Sequence, residues 1–154
     1  MPEYEFHHVV LFEDTNLVGN VYFTKYFSWQ GRCREQFLLQ KAPEVLDALR
    51  QGLALMTTRC SCEFWAELTA GDDVLVRMSL GRQAQTSLVL RFDYFVLRDG
   101  RELRVALGEQ QVACMRRIGD KLVPEPIPAA LRLAIAPYTD GGELAAAPSL
   151  DVEA

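Results

Sequence analysis

The sequence predicts an α+β fold in which a curved antiparallel sheet packs around one long central helix. Three observations predict it. Apolar residues between positions 21 and 40 recur at helical spacing and form a wide stripe. From position 53 onward, long runs rich in β-branched and aromatic residues are separated by short turn-forming links. The resulting order is strand, long helix, short helix, then four strands, and a single helix laid across such a sheet buries the inner face in two layers.

Taken in order, residues 4–13 read as a strand with Tyr4, Phe6, His8, Val10 and Phe12 on one face. The stretch Asp14-Thr15-Asn16-Leu17-Val18-Gly19-Asn20 then carries the Asp, Asn and Gly content of a turn that caps a helix. From about Val21 to Gln40, Tyr22, Tyr26, Trp29, Cys33 and Phe37 fall in one arc, widened by Phe23, Phe27 and Leu38. Lys25, Ser28, Arg32, Glu35 and Gln36 occupy the polar remainder. Gly31, unfavourable inside a helix, is expected to let another backbone approach closely.

A shorter helix follows from about Glu44 to Gln51, with Pro43 in its first turn and Gly52 closing it. Strands are expected over 53–65, 73–81, 86–98 and 103–116, joined by hairpin-like links. Leu88, Leu90, Phe92, Tyr94 and Val96 give one of them an unbroken apolar face. Residues 124–128 are Pro-rich, and 130–135 read as a short apolar segment docked on the body. We expect one domain over 1–138 and a disordered tail over 139–154.

Composition narrows the function classes. A chain of 154 residues that is 49% hydrophobic has room for one sizeable core. Its formal net charge of -5 argues against nucleic acid as a partner, because phosphate binding needs a clustered basic surface. No run approaches the ~20 apolar residues of a membrane span, and the first residues lack the basic and apolar blocks of a signal peptide. A cytoplasmic location is expected. The four cysteines are scattered, as reduced thiols would be. Cys60 and Cys62 share a strand face but lack a second ligand pair, so no metal and no cofactor is expected.

The text Asn16-Leu17-Val18-Gly19-Asn20-Val21-Tyr22, Trp29-Gln30-Gly31-Arg32-Cys33-Arg34-Glu35, Thr57-Thr58-Arg59-Cys60-Ser61-Cys62-Glu63-Phe64 and Gln110-Gln111-Val112-Ala113-Cys114-Met115-Arg116 resembles the hotdog-fold thioesterases of enediyne biosynthesis. These are a branch of the 4-hydroxybenzoyl-CoA thioesterase-like family, and the matches run from about Phe6 to Arg117. The resemblance implies a single hotdog domain, with the sheet wrapped round the central helix in paired subunits that form a dimer of dimers. It also implies a substrate, a long polyene β-keto or β-hydroxy acyl chain on the acyl carrier domain of an iterative polyketide synthase. Such a chain would be hydrolysed and, for a β-keto acid, decarboxylated. Position 16 departs from the 4-hydroxybenzoyl-CoA pattern, where an aspartate serves as nucleophile or base. Asparagine can do neither, but the enediyne branch shares it.

Thioester hydrolysis needs a stabilised oxyanion and a placed water, since the carbonyl is electrophilic and the thiolate leaves readily. Backbone N–H groups of Gly19, Tyr22 and Phe23 are candidates for the first task, at the positive end of the helix dipole. Asn16 can orient water or the thioester while remaining neutral. Arg34 falls among Phe23, Phe27 and Leu38 on the helical wheel, opposite Arg32, and a guanidinium in that arc is costly unless paired or functional. Tyr26 is expected to lend its hydroxyl or to line the acyl tunnel. Glu35 and Glu67 are minor candidates for a carboxylate base.

Each has a plainer reading. Asn16 suits a turn, Arg34 could pair with a carboxylate of a neighbouring strand or subunit, and Tyr22, Trp29 and Phe37 read as core. Glu35 and Glu67 read as solvated charges. Lys25, Arg32, Arg116 and Arg117 are candidate exposed cations for docking an acidic carrier. A hotdog dehydratase would want a histidine base, and only His7 and His8 exist, both on the first strand, where at most one should be buried. An α/β-hydrolase thioesterase is weaker still, since the sequence has no Gly-x-Ser-x-Gly elbow. A noncatalytic acyl-binding or chaperone module for the same synthase is the remaining alternative.

Overall fold

The computed structural model describes residues 3–139. Its strands are β1 (Tyr4–Val9), β2 (Leu53–Phe64), β3 (Asp73–Gln83), β4 (Ser87–Arg98), β5 (Arg101–Ile118) and β6 (Lys121–Pro124). The helices are α1 (Thr24–Lys41), α2 (Pro43–Arg50) and α3 (Ala129–Ile135). All strand pairs are antiparallel, in the order β1-β3-β4-β5-β2, and β6 pairs with the far end of β5. Register shifts at Thr57/Arg59, Leu80/Arg82 and Tyr94/Phe95 interrupt three ladders, and such bulges bend a sheet.

The two periodicities meet in the core. Tyr26, Trp29, Cys33 and Phe37 of α1 are buried, as are Leu88, Leu90, Phe92, Tyr94 and Val96 on β4 and Val74, Val76, Met78 and Leu80 on β3. The Tyr94 hydroxyl donates to the Tyr26 carbonyl at 2.7 Å, so this fully buried polar tip is satisfied. The helix thus lies along the concave face, as the sequence predicts.

Several expectations fail in instructive ways. β1 stops at Val9, and a 3-10 turn over Phe12–Asp14 follows, which turns Phe12 out to 87% exposure. α1 begins at Thr24 and not near Val21, because the Tyr22 N–H donates to the Asp14 carbonyl at 2.9 Å and Thr15 bridges Val21. Tyr22 and Phe23 are therefore exposed loop residues, where the helical stripe made them part of the buried arc. A Cβ on Gly31 would meet nothing within 4 Å, so among the described residues no backbone packs against it.

β2 and β3 do not form a hairpin; they lie on opposite sides of the β4–β5 pair. α2 begins at Pro43 and gives way to Gly52, whose φ of +103° only glycine adopts freely. The apolar segment near 130–135 is helical, and its Leu131 and Ile135 are buried in the core. β6 was not anticipated. Beyond Thr139, the tail expected over 139–154 lies outside the described residues.

Candidate functional site

The loop before α1 is built by its own backbone. The Asn16 N–H donates to the Asn20 carbonyl at 2.9 Å, and the Gly19 N–H donates to the Asn16 carbonyl at 3.0 Å. Asn16 Oδ1 accepts the Val18 N–H at 3.1 Å, an Asx turn. Gly19 has φ +92° with open space where a Cβ would stand, so its side-chain absence serves the turn and not a close contact.

Two anchors hold this loop. Asp14 is buried; its carboxylate accepts the Leu11 N–H and meets His8 Nε2, each at 2.9 Å, while the His8 ring lies 5.0 Å from that of Trp29. Burial pushes the Asp14 carboxyl up, but the Leu11 N–H and His8 together pull it below its ordinary value. On the other side, Val21 donates to the Leu68 carbonyl at 2.8 Å, and Asn20 Nδ2 donates to Glu67 Oε1 at 3.2 Å. Glu67 is exposed and serves as this tether.

These bonds revise the expected oxyanion donors. The Gly19 and Tyr22 N–H groups are both spent on loop carbonyls, and of the three candidates only the Phe23 N–H has no acceptor among the described residues. Asn16 is exposed, and with Oδ1 committed its amide nitrogen is the group left to donate.

Arg34 lies on α1, about 15 Å further along the helix axis than its first residue at ~1.5 Å per residue. Its Nη1 donates to Thr57 Oγ1 at 2.6 Å and to Gln110 Oε1 at 3.3 Å, and its Nη2 donates to the Leu55 carbonyl at 2.9 Å. All three acceptors are neutral. No carboxylate among the described residues lies within salt-bridge distance, so the ion-pair reading finds no partner among them. Burial pulls the guanidinium below its ordinary pKa, with the Glu35 charge opposing. Five N–H donors less three made bonds leave Nε–H and one hydrogen on Nη2 free.

Arg34 borders a cavity of about 550 Å³ that is otherwise lined mainly by leucines, Leu38, Leu39, Leu46, Leu49 and Leu55, with Gln110 at one wall. Glu35 also lines it, while Gly31 leaves it roomy. A second, narrow cavity shares Arg34, Leu38 and Leu55 and ends on Leu131 and Ile135 of α3.

Tyr26 touches neither cavity. Its ring packs 4.8 Å from Phe64, 5.1 Å from Trp29 and 5.5 Å from Tyr94, and burial pushes its phenol well above the ordinary range. It is a core residue. Asn16 lines neither cavity either, so one chain does not unite the two strongest candidates. Arg116 is bound to Glu125 at 2.7 Å, which removes it from the expected free cations. Among the described residues no cluster suits a metal ion, and no helix is long and apolar enough to cross a membrane.

Sequence reasoning missed the His8–Asp14 anchor and the Thr57 and Gln110 acceptors. Gln110 did carry a signal: it alternates with Ala106, Gly108, Val112 and Cys114, a polar residue on an apolar strand face.

Comparison with known proteins gives this arrangement relatives. Residues 10–135 match the model of the thioesterase-like superfamily. The crystal structure of the dynemicin thioesterase, described for the effects of polyene binding, superposes with a TM-score of 0.87 at 48% identity, covering 92% of this chain and 100% of that one. The 4-hydroxybenzoyl CoA thioesterase of Pseudomonas sp. strain CBS-3 shares the fold at TM-score 0.75 and 15% identity, covering 86% and 99%. A gentisyl-coenzyme A thioesterase does so at TM-score 0.69 and 23% identity, covering 86% and 98%. None of the curated proteins matches significantly.

Proposed function

Because the chain belongs to the thioesterase-like superfamily, has the hotdog fold and is a thioester hydrolase, we propose that it releases a long polyene β-keto or β-hydroxy acyl chain from the acyl carrier domain of an iterative enediyne polyketide synthase. The observation that carries this reading is Arg34: a guanidinium with neutral partners and two unused N–H donors, set in the wall of a leucine-lined cavity. The apolar wall suits a long acyl chain. The free donors suit the anionic oxygen that appears when water adds to the thioester, or the carboxylate of a β-keto acid before it loses carbon dioxide.

In this mechanism Asn16 donates its amide N–H to the thioester oxygen or to the attacking water, and the Phe23 N–H lies beside it at the helix start. Two copies supply one site. Asn16 lines neither cavity that Arg34 borders, and the loop around Asn16 carries Phe12, Leu17, Val18, Tyr22 and Phe23 exposed, an apolar surface that pairing would cover. A homodimer, assembled further as a dimer of dimers, follows. It works in the cytoplasm on an acidic carrier that meets Lys25, Arg32 and Arg117, as part of antibiotic biosynthesis. Neither metal nor cofactor takes part.

Thiol release from a β-ketoacyl thioester, with the organic product followed by mass, tests the reading. Wild type should turn over many times and yield free acid or methyl ketone. Asn16→Ala and Arg34→Ala should each lose on the order of a hundredfold in kcat. Wild-type rates in both variants would refute the site; one chain captured per site without thiol release would favour the noncatalytic acyl-binding module.

A further inference from the structure

Behind Arg34 lies a set of buried amides that the reaction itself does not require. Gln30 stands one turn earlier on the same face of α1 and is fully buried, and Gln110 on β5 is nearly so. Gln30 Nε2 donates to the Ser61 carbonyl at 3.1 Å, Gln110 Nε2 donates to Gln30 Oε1 at 3.2 Å, and Arg34 Nη1 donates to Gln110 Oε1 at 3.3 Å. The two ends of this chain have fixed roles, since a guanidinium only donates and a carbonyl only accepts. They dictate both amides between them. Turning either glutamine over would set donor against donor.

The sheet makes room for this chain at one position. A Cβ built on Gly108 would stand 2.1 Å from Gln30 Nε2 and 3.1 Å from the Ser61 carbonyl. Glycine at 108 therefore admits the Gln30 amide between β5 and β2. Apolar side chains of similar shape would fill the same space without the desolvation cost of two buried amides, so packing alone does not account for them.

We infer that Gln30 and Gln110 are positioning residues, an ordered amide relay that fixes the Arg34 guanidinium so that its two free N–H groups meet the acyl oxygen, with Gly108 the residue that admits the relay. Leu55 and Thr57 hold the guanidinium from β2; Gln110 holds it from β5, and Gln30 keeps Gln110 turned the right way. This inference rests on the proposed role of Arg34.

The test measures kcat and KM for thiol release from a β-ketoacyl thioester with Gln30→Leu, Gln110→Leu and Gly108→Ala, each in the full chain and again beside Arg34→Ala. A hydrogen bond to a charged group is worth about ten- to a hundredfold, so Gln110→Leu should lower kcat by roughly that factor, and Gln30→Leu and Gly108→Ala, which act through Gln110, by about tenfold, each with KM nearly unchanged. Beside Arg34→Ala the same changes should cost nothing further. Losses that multiply in that background, or full activity of the glutamine variants while Arg34→Ala is impaired, would overturn the relay alone. Full activity of Arg34→Ala would instead overturn the reading on which it rests. Should Gln110→Leu fail to fold, side-chain amide hydrogen exchange in the unaltered protein decides: protected Gln30 and Gln110 amides are expected, and exchange as fast as in exposed glutamines would end the proposal.

Discussion

The two halves of the site are held by different kinds of bond. The Asn16 loop is fixed mainly by backbone groups bonding one another, with the buried Asp14 carboxylate as one side-chain anchor and the exposed Asn20–Glu67 bond as a second. The Arg34 half is fixed by side chains, from β2 and β5, and by one carbonyl. The first half is an exposed loop; the second borders an open cavity lined by the chain's own leucines. A loop built on its backbone tolerates changes in most side chains but collapses when its anchor goes. A guanidinium held by side chains keeps its fold under substitution and loses its aim.

The largest effect expected from that difference belongs to Asp14→Ala. It takes away the carboxylate that accepts the Leu11 N–H and meets His8, and hydrogen bonds to a charged group are worth about 1.5–3 kcal/mol. Chemical denaturation should show a loss of that order, and thiol release should fall with it as Asn16 loses its setting. A variant as stable as wild type would mean that the backbone bonds alone hold the loop.

Arg34→Lys probes the other half and should behave in the opposite way. The ammonium keeps the charge but cannot reach Leu55, Thr57 and Gln110 while leaving two donors in a fixed plane. Stability should move by less than about 1 kcal/mol, whereas kcat should drop by roughly tenfold or more, readable by the same thiol assay. Equal losses in stability and rate would erase the contrast between the halves.

Much of this contrast was out of reach of the sequence, for a physical reason. Periodicity reports which face a side chain occupies, so the helix bearing Trp29, Cys33 and Phe37, the strand from Leu88 to Val96 and the placement of Arg34 in the apolar arc could all be read. Hydrogen-bond commitments leave no such pattern. Nothing in Gly19 or Tyr22 says that its N–H is already given to a loop carbonyl, and nothing in the order of strands says that β2 runs beyond β5 and not beside β3. Tyr26 sits in the core, and an aromatic inside the stripe looks the same in the sequence whether it lines a tunnel or fills the core. The relay was hidden because Gln30 and Gln110 are eighty positions apart in the chain.

The smallest expected effect is on acid stability. Asp14 holds its carboxyl below the ordinary value in the folded protein, so the folded state binds fewer protons than the unfolded one wherever the two differ. The stabilisation is therefore complete above the unfolded value, for which the reference is 3.8, and fades as the pH falls through the lower folded value. Asp14→Asn has no proton to gain there. Its stability should be lower than that of wild type at neutral pH, and the two curves should converge as the solution is made acid. Asp72, held down first by the Arg98 guanidinium, contributes an acid limb of the same sign in both proteins, so only the difference between them reports on the loop. Parallel curves, with no convergence below the reference value, would show that Asp14 anchors the loop by shape and not by charge.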